Sequence, residues 1–289
     1  MTCETGKPTT ASDGLLARCV GPWSQDKVYY ISRYASIFST GMKNLFPSRA
    51  YVDFFSGPGR CVLSDTGEEF DGTPLRALNS PDPFSEYHFV EAVPDLLDAL
   101  KARATSSPRL GSVQWYGEDA NVAVDTICQA LPRDGLVLAV IDPTGLHFHF
   151  DSLSKLTKHP RVDFIYLFPD GMDVRRNLEL YLSKDQSEID EALGTKRWRD
   201  AIKQELQKYP ASEDARCPGA TKIVFQVFKK QLETLGYPNV MMGDDIRFKN
   251  SRRAQLYWLV FASRHPKGHE FWQKIQVIGP SGQRTISWI

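Results

Sequence analysis

The segment Tyr51-Val52-Asp53-Phe54-Phe55-Ser56-Gly57-Pro58-Gly59-Arg60 constrains the fold of this chain more than any other. A short apolar run ends on an acid and enters a Gly-x-Gly turn. Gly57 and Gly59 lack Cβ, so the backbone can reverse sharply there and approach a ligand closely. Open α/β sheets bind ligands at the carboxyl ends of their strands, and a first strand followed by such a turn marks that edge. Asp53, Ser56, Gly57 and Gly59 are therefore candidate cofactor-binding residues.

The pattern downstream extends the same architecture. Apolar runs at 50–55, 87–91, 113–116, 136–141 and 162–168 read as strands. The run at 136–141, Leu-Val-Leu-Ala-Val-Ile, has no polar alternation, as a strand covered on both faces requires. Helical signals occupy 23–45, with Ser24 as its N-cap, and then 75–78, 94–103 and 120–131. Strands alternating with helices give right-handed βαβ units and a mostly parallel sheet. Residues 172–208 are polar and helix-prone, and 222–235 reads as a further helix. Two last strands, 240–248 and 256–263, are joined by a short basic link and so pair antiparallel. The expected fold is an α/β, class I methyltransferase (Rossmann-like) sheet with a C-terminal antiparallel hairpin and a helical insertion. Its expected organisation is a flexible N-terminal segment, 1–22, and a methyltransferase-like domain, 23–289, with the insertion at about 172–220.

Composition narrows the function classes. Among 289 residues, 35 Lys and Arg balance 35 Asp and Glu, so no global basic field draws the chain to nucleic acid. Such contact would need a local patch, and Arg247, Lys249, Arg252 and Arg253 around the hairpin tip form the candidate. The five cysteines are scattered and lack zinc spacing, which predicts no metal site and reduced thiols in a cytoplasmic protein. No secretory signal and no apolar run of roughly 20 residues is present, so a soluble protein is expected.

Four strand ends carry the candidate chemistry. Behind the glycine turn, Glu91 closes the second strand, where a carboxylate accepts hydrogen bonds from ribose hydroxyls. Asp119 follows the third strand, within reach of an adenine amino group. Asp142-Pro143-Thr144-Gly145 follows the fourth, beside the reacting atoms. Together they predict S-adenosylmethionine as cofactor. No Gly-Lys-Ser/Thr completes a P-loop, and Val62 stands where a dinucleotide fingerprint needs its third glycine. Asp142 is the candidate for orienting the methyl acceptor, with His147 as a candidate base. Thr144, Phe148, Arg175 and Arg176 are candidates for the acceptor side, the arginines for a phosphate or carboxylate.

The 53–59 loop also resembles the Asp-Pro-Phe-Ser-Gly-Ser-Gly loop of amino-methyltransferases acting on nucleobases. Those enzymes follow their fourth strand with Asp/Asn-Pro-Pro and an aromatic. Here Thr144 and Gly145 stand in the last two places, so a stacked base would need another ring, Phe148 or His147. A resemblance over nearly the whole chain is to the three-Cys-motif partner protein family (TcmP). It rests on Trp23-Ser24-x-x-Lys27, the 51–59 segment, Ile141-Asp142-Pro143-x-Gly145-Leu146, Arg176-Asn177 and Tyr257-Trp258-Leu259-Val260-Phe261-Ala262-Ser263. That family is similar to S-adenosylmethionine-dependent methyltransferases. The resemblance implies their fold and cofactor, and a partner with clustered cysteines that is similar to a radical S-adenosylmethionine protein. It leaves two readings: a methyltransferase of a nucleobase or small-metabolite amine, or a non-catalytic accessory protein that binds such a partner or nucleic acid.

Overall fold

Two strands, β1 (Pro8–Thr10) and β2 (Leu16–Val20), precede the first helix in the computed structural model, which describes residues 3–169, 173–207, 219–238, 241–249, 255–277 and 279. Side chains at 175, 241–247, 249 and 255 fall outside that description. These strands correct the expectation of a flexible segment through residue 22. They alternate too briefly to stand out in the sequence, and β2 gains a second partner from further along the chain. Cys3 and Cys19 are joined by a disulfide, which corrects the expectation of reduced thiols at those two positions. Cys61 and Cys128 are free.

Helix α1 (Trp23–Met42) follows. Pro22 occupies its N-cap, so Ser24 lies buried in the first turn rather than capping it. The chain then enters β3 (Arg49–Asp53), the glycine turn, β4 (Arg60–Leu63), β5 (Glu69–Asp71) and α2 (Thr73–Leu78). Three strand–helix pairs come next: β6 (Glu86–Val90) with α3 (Pro94–Ala104), β7 (Val113–Tyr116) with α4 (Ala120–Ala130), and β8 (Leu136–Ile141) with α5 (Phe150–Leu156). β9 (Val162–Phe168) leads to α6 (Arg175–Ser183), α7 (Glu188–Leu193), α8 (Arg197–Gln207) and α9 (Ala220–Thr234). The chain closes through β10 (Met241–Lys249), β11 (Gln255–Ala262) and α10 (Pro266–Gln276).

The central sheet has the order β10-β11-β9-β8-β3-β6-β7. β7, β6, β3, β8 and β9 run parallel, while β11 is antiparallel to both β9 and β10. This is the expected class I methyltransferase sheet with its antiparallel closing pair. Each inner strand is buried on both faces. Val52, Ala139, Ile141, Phe164 and Tyr166 pack with α4, α5 and the helices after β9. Their neighbours Tyr51, Leu138, Val140, Ile165 and Leu167 pack with α1, α3 and α10. At about 25 cal/mol per Å² of apolar area buried, this two-sided core is the main stabilising term.

A second sheet, β1-β2-β4-β5, follows on from the glycine turn, with β4 beginning at Arg60. β2 runs parallel to β4, with Arg18 opposite Cys61. One side chain fastens it: Arg103 on α3 donates to the carbonyls of Leu16 and Pro58, both at 2.6 Å, and also binds Asp13. That guanidinium holds the Asp13 carboxyl down at about 2, against a smaller opposing effect of burial.

Candidate functional site

Register brings the strand ends level. Asp53 pairs with Phe89 on one side and Val140 on the other, so Glu91 and Asp142 flank the glycine turn two residues further on. Val90 pairs with Tyr116, which sets Gly117 beside Glu91. The sheet thus gathers the sequence-predicted groups of four strands along one edge.

Glu91 is 8 % exposed, and its two oxygens accept from Gly57 N–H at 3.0 Å and Val93 N–H at 2.9 Å. It fixes the turn against the end of β6, and each oxygen retains a lone pair for a hydroxyl. Asp53 lies beneath the turn and is fully buried. It accepts from the Thr73 hydroxyl at 2.6 Å and from Phe55 N–H at 3.3 Å. Burial pushes its carboxyl up to about 7; Thr73 opposes this, and the charge of nearby Asp142 adds to it. Ser56 is likewise internal: its hydroxyl donates to the Asp53 carbonyl at 3.0 Å and its N–H to the Val90 carbonyl at 2.9 Å.

The two glycines of the turn differ in what they make room for. Both have positive φ, +60° at Gly57 and +76° at Gly59. A Cβ on Gly59 would lie 2.6 Å from Leu100 Cδ1, so its absence allows close packing. A Cβ on Gly57 would meet, among the described residues, just Arg18 Nε at 3.8 Å. Gly57 therefore borders open space of the kind a bound tail would fill. Asp119 is exposed and caps α4, accepting from Asn121 N–H at 2.8 Å.

Asp142 is held by a residue that sequence reasoning did not assign to the site. Lys27 Nζ lies 2.5 Å from Asp142 Oδ2, with both side chains 18 % exposed. Burial works against the ammonium, but the Asp142 carboxylate outweighs it, and Lys27 is held above the ordinary lysine range. Among the described residues, no hydrogen bond reaches Asp142 Oδ1. Half-buried Tyr257 faces the same cluster: burial raises its phenol, while the charges of Lys27 and Arg176 act the other way. A clue to Lys27 was present, since it falls on the Trp23, Ile31, Tyr34, Phe38 stripe of α1. A cation on a buried stripe needs a partner.

The loop after Asp142 is pinned by Asp173, two residues before α6. Asp173 Oδ2 accepts from Leu146 N–H at 2.9 Å, and its other oxygen accepts from Asn177 and Tyr181. Thr144 and His147 are exposed on this loop. His147 Nε2 stands 3.0 Å from where a Gly145 Cβ would sit, and its carbonyl accepts from Asn121. Phe148 corrects an expectation. It is 1 % exposed and packs on Phe54 and Phe55, so it belongs to the core and offers no face for a stacked base. Arg176 is exposed on α6, while the Arg175 side chain lies outside the described residues. The same holds for the side chains of Arg247 and Lys249 on β10, and for Arg252 and Arg253 altogether.

No family model and no curated protein matches the chain. Solved structures do resemble it. LPL1258 from Legionella pneumophila str. Philadelphia 1, a DUF519 protein, is 10% identical over 91% of this chain and 95% of its own, with a TM-score of 0.49. The O-methyltransferase TomG from Streptomyces achromogenes, in complex with SAM, is 10% identical over 83% and 79%, with a TM-score of 0.42. Cofactor-bound Rv0187 from MTB is 9% identical over 81% and 79%, with a TM-score of 0.44. The strand order of the chain itself, rather than these distant likenesses, fixes the fold class. Among the described residues, no helix is long and apolar enough to cross a membrane.

Proposed function

We propose that the protein is an S-adenosylmethionine-dependent methyltransferase acting on a nitrogen or oxygen nucleophile of a small acceptor or nucleobase. The observation that carries this reading is the Gly57 turn. Its flank is open, its N–H is fixed by Glu91, and Asp142 stands at the next strand end. Glu91 would hold the ribose hydroxyls, and the edge at Gly117–Asp119 would take the adenine. The cofactor would supply a methyl group carried on a positively charged sulfur.

What the chain itself contributes is placement. Lys27 fixes one oxygen of Asp142, which leaves Oδ1 to accept a hydrogen bond from the acceptor's N–H or O–H. Aiming a lone pair in this way supplies most of the rate in a displacement reaction. His147, on the same loop, is the nearby group for removing a proton.

The test is titration of S-adenosylhomocysteine against NAD and ATP by calorimetry, followed by methyl transfer into acceptor pools. Binding of the first ligand, with Asp142→Ala abolishing transfer while affinity stays within about threefold, supports the reading. Preferential binding of NAD or ATP would replace it.

A further inference from the structure

β2 places its residues on two faces by the alternation of any strand. Ala17 and Cys19 are buried in the small core of the N-terminal sheet. Arg18, between them, projects the other way, and its Nε comes within 3.8 Å of the position a Gly57 Cβ would occupy. The guanidinium is half-buried and has no ion pair or hydrogen bond among the described residues, so its donors are uncommitted. Its charge acts against the larger effect of burial, which raises the Cys61 thiol and the Tyr257 phenol. The strand that carries it is not loosely attached. Arg103 joins the carbonyls of Leu16 and Pro58, two residues before Arg18 and one after Gly57. A half-buried cation held against a ligand turn is poised for an anion.

We infer that Arg18 binds the carboxylate of the cofactor's amino-acid moiety, making the N-terminal sheet a clamp over the glycine turn. This rests on the methyltransferase reading and adds a residue outside the central sheet to it. Of the groups on S-adenosylmethionine, that carboxylate is the anion, and it is carried on the tail that the open flank of Gly57 would receive. Arginine suits the task because its planar fork meets a carboxylate with two parallel hydrogen bonds.

The test compares two ligands that share a nucleoside and a sulfur. S-adenosylhomocysteine carries the amino-acid tail, and 5′-methylthioadenosine does not. Calorimetry would be run on the full chain and on Arg18→Met, which keeps the apolar stem, with Arg18→Lys as a second variant that keeps the charge. Arg18→Met is expected to weaken S-adenosylhomocysteine about ten- to hundredfold and to leave methylthioadenosine within about twofold. Arg18→Lys is expected to fall between. Equal losses for both ligands would make Arg18 a structural residue and overturn the inference. No loss for S-adenosylhomocysteine would overturn it too, while leaving the methyltransferase reading intact. Failure of the unmodified chain to bind either ligand would overturn both.

Discussion

Lys27 Nζ on α1 and Asp142 Oδ2 at the end of β8 lie 2.5 Å apart, although 115 residues separate them in the sequence. The pair links the helix that precedes the sheet to the carboxyl end of β8. With both side chains 18 % exposed, it is neither a surface ion pair nor a fully buried one.

Removing one partner therefore strands a poorly solvated charge on the other. A double-mutant cycle with Lys27→Met and Asp142→Asn is expected to give a coupling energy of about 1–2 kcal/mol in urea unfolding, between surface and buried pairs. A coupling near zero would mean that the two groups do not hold each other in solution.

Asp53 makes stability depend on pH. The folded chain keeps its carboxyl protonated up to about 7, against an ordinary value of 3.8. Between those values the unfolded chain binds fewer protons, so stability falls as pH rises from about 4 to 7 and then stays low. Asp163, raised by burial to about 6, acts with the same sign over the lower part of that window. Asp53→Asn should therefore flatten the pH 4–7 profile and gain a few kcal/mol at most, relative to the unmodified chain, at pH 8. Parallel profiles for the two proteins would contradict the burial of an ionisable group there.

The two glycines of the turn predict opposite phenotypes. Gly59→Ala drives a methyl group into Leu100 and should lower stability by more than 2 kcal/mol, roughly the cost of overpacking plus left-handed strain. Gly57→Ala meets no such wall, so it should cost about 1 kcal/mol from strain alone while weakening S-adenosylhomocysteine at least about tenfold. Thermal unfolding and ligand titration separate the two. Equal behaviour of both variants would contradict the division of labour.

The disulfide ties residue 3 to β2 across a separation of 16 residues. Closing a loop of that length stabilises the closed segment by up to about 3 kcal/mol in the chain-entropy account. Reductant should accelerate amide exchange in β1 and β2 and leave β8 and β9 unchanged. Unchanged protection in β1 and β2 would show that Arg103 and the strand pairing hold that sheet without the bond.

The central sheet was legible because inner strands such as β8 and β9 are built on continuous apolar runs, and β7, β8 and β9 fall at the positions read from sequence. The N-terminal sheet was not. Its strands of three to five residues include polar β1 and mixed β4, and the β2–β4 pairing that joins its two local pairs spans some forty residues. Helices α5 and α10 were missed for a related reason. Each begins at a residue typical of loops, His149 or His265 before Pro266, and α5 has one buried face over two turns. Within the site, strand-end acids could be read from their positions, since register depends on chain order. Lys27 showed only as a cation on the buried stripe of α1, and Arg18 gave no signal, because a cation becomes part of a site through tertiary contact. Phe148 was misassigned because an aromatic after Asp142 looks available for stacking until the loop folds it under Phe54.

The most direct measurement is a crystal structure of the protein with S-adenosylhomocysteine. The ribose hydroxyls are expected on the Glu91 carboxylate, the adenine along the edge at Gly117–Asp119, and the sulfur end passing Gly57 toward Asp142. A nucleoside bound elsewhere, or a Gly57 flank that stays closed to the ligand at saturating concentration, would contradict this placement.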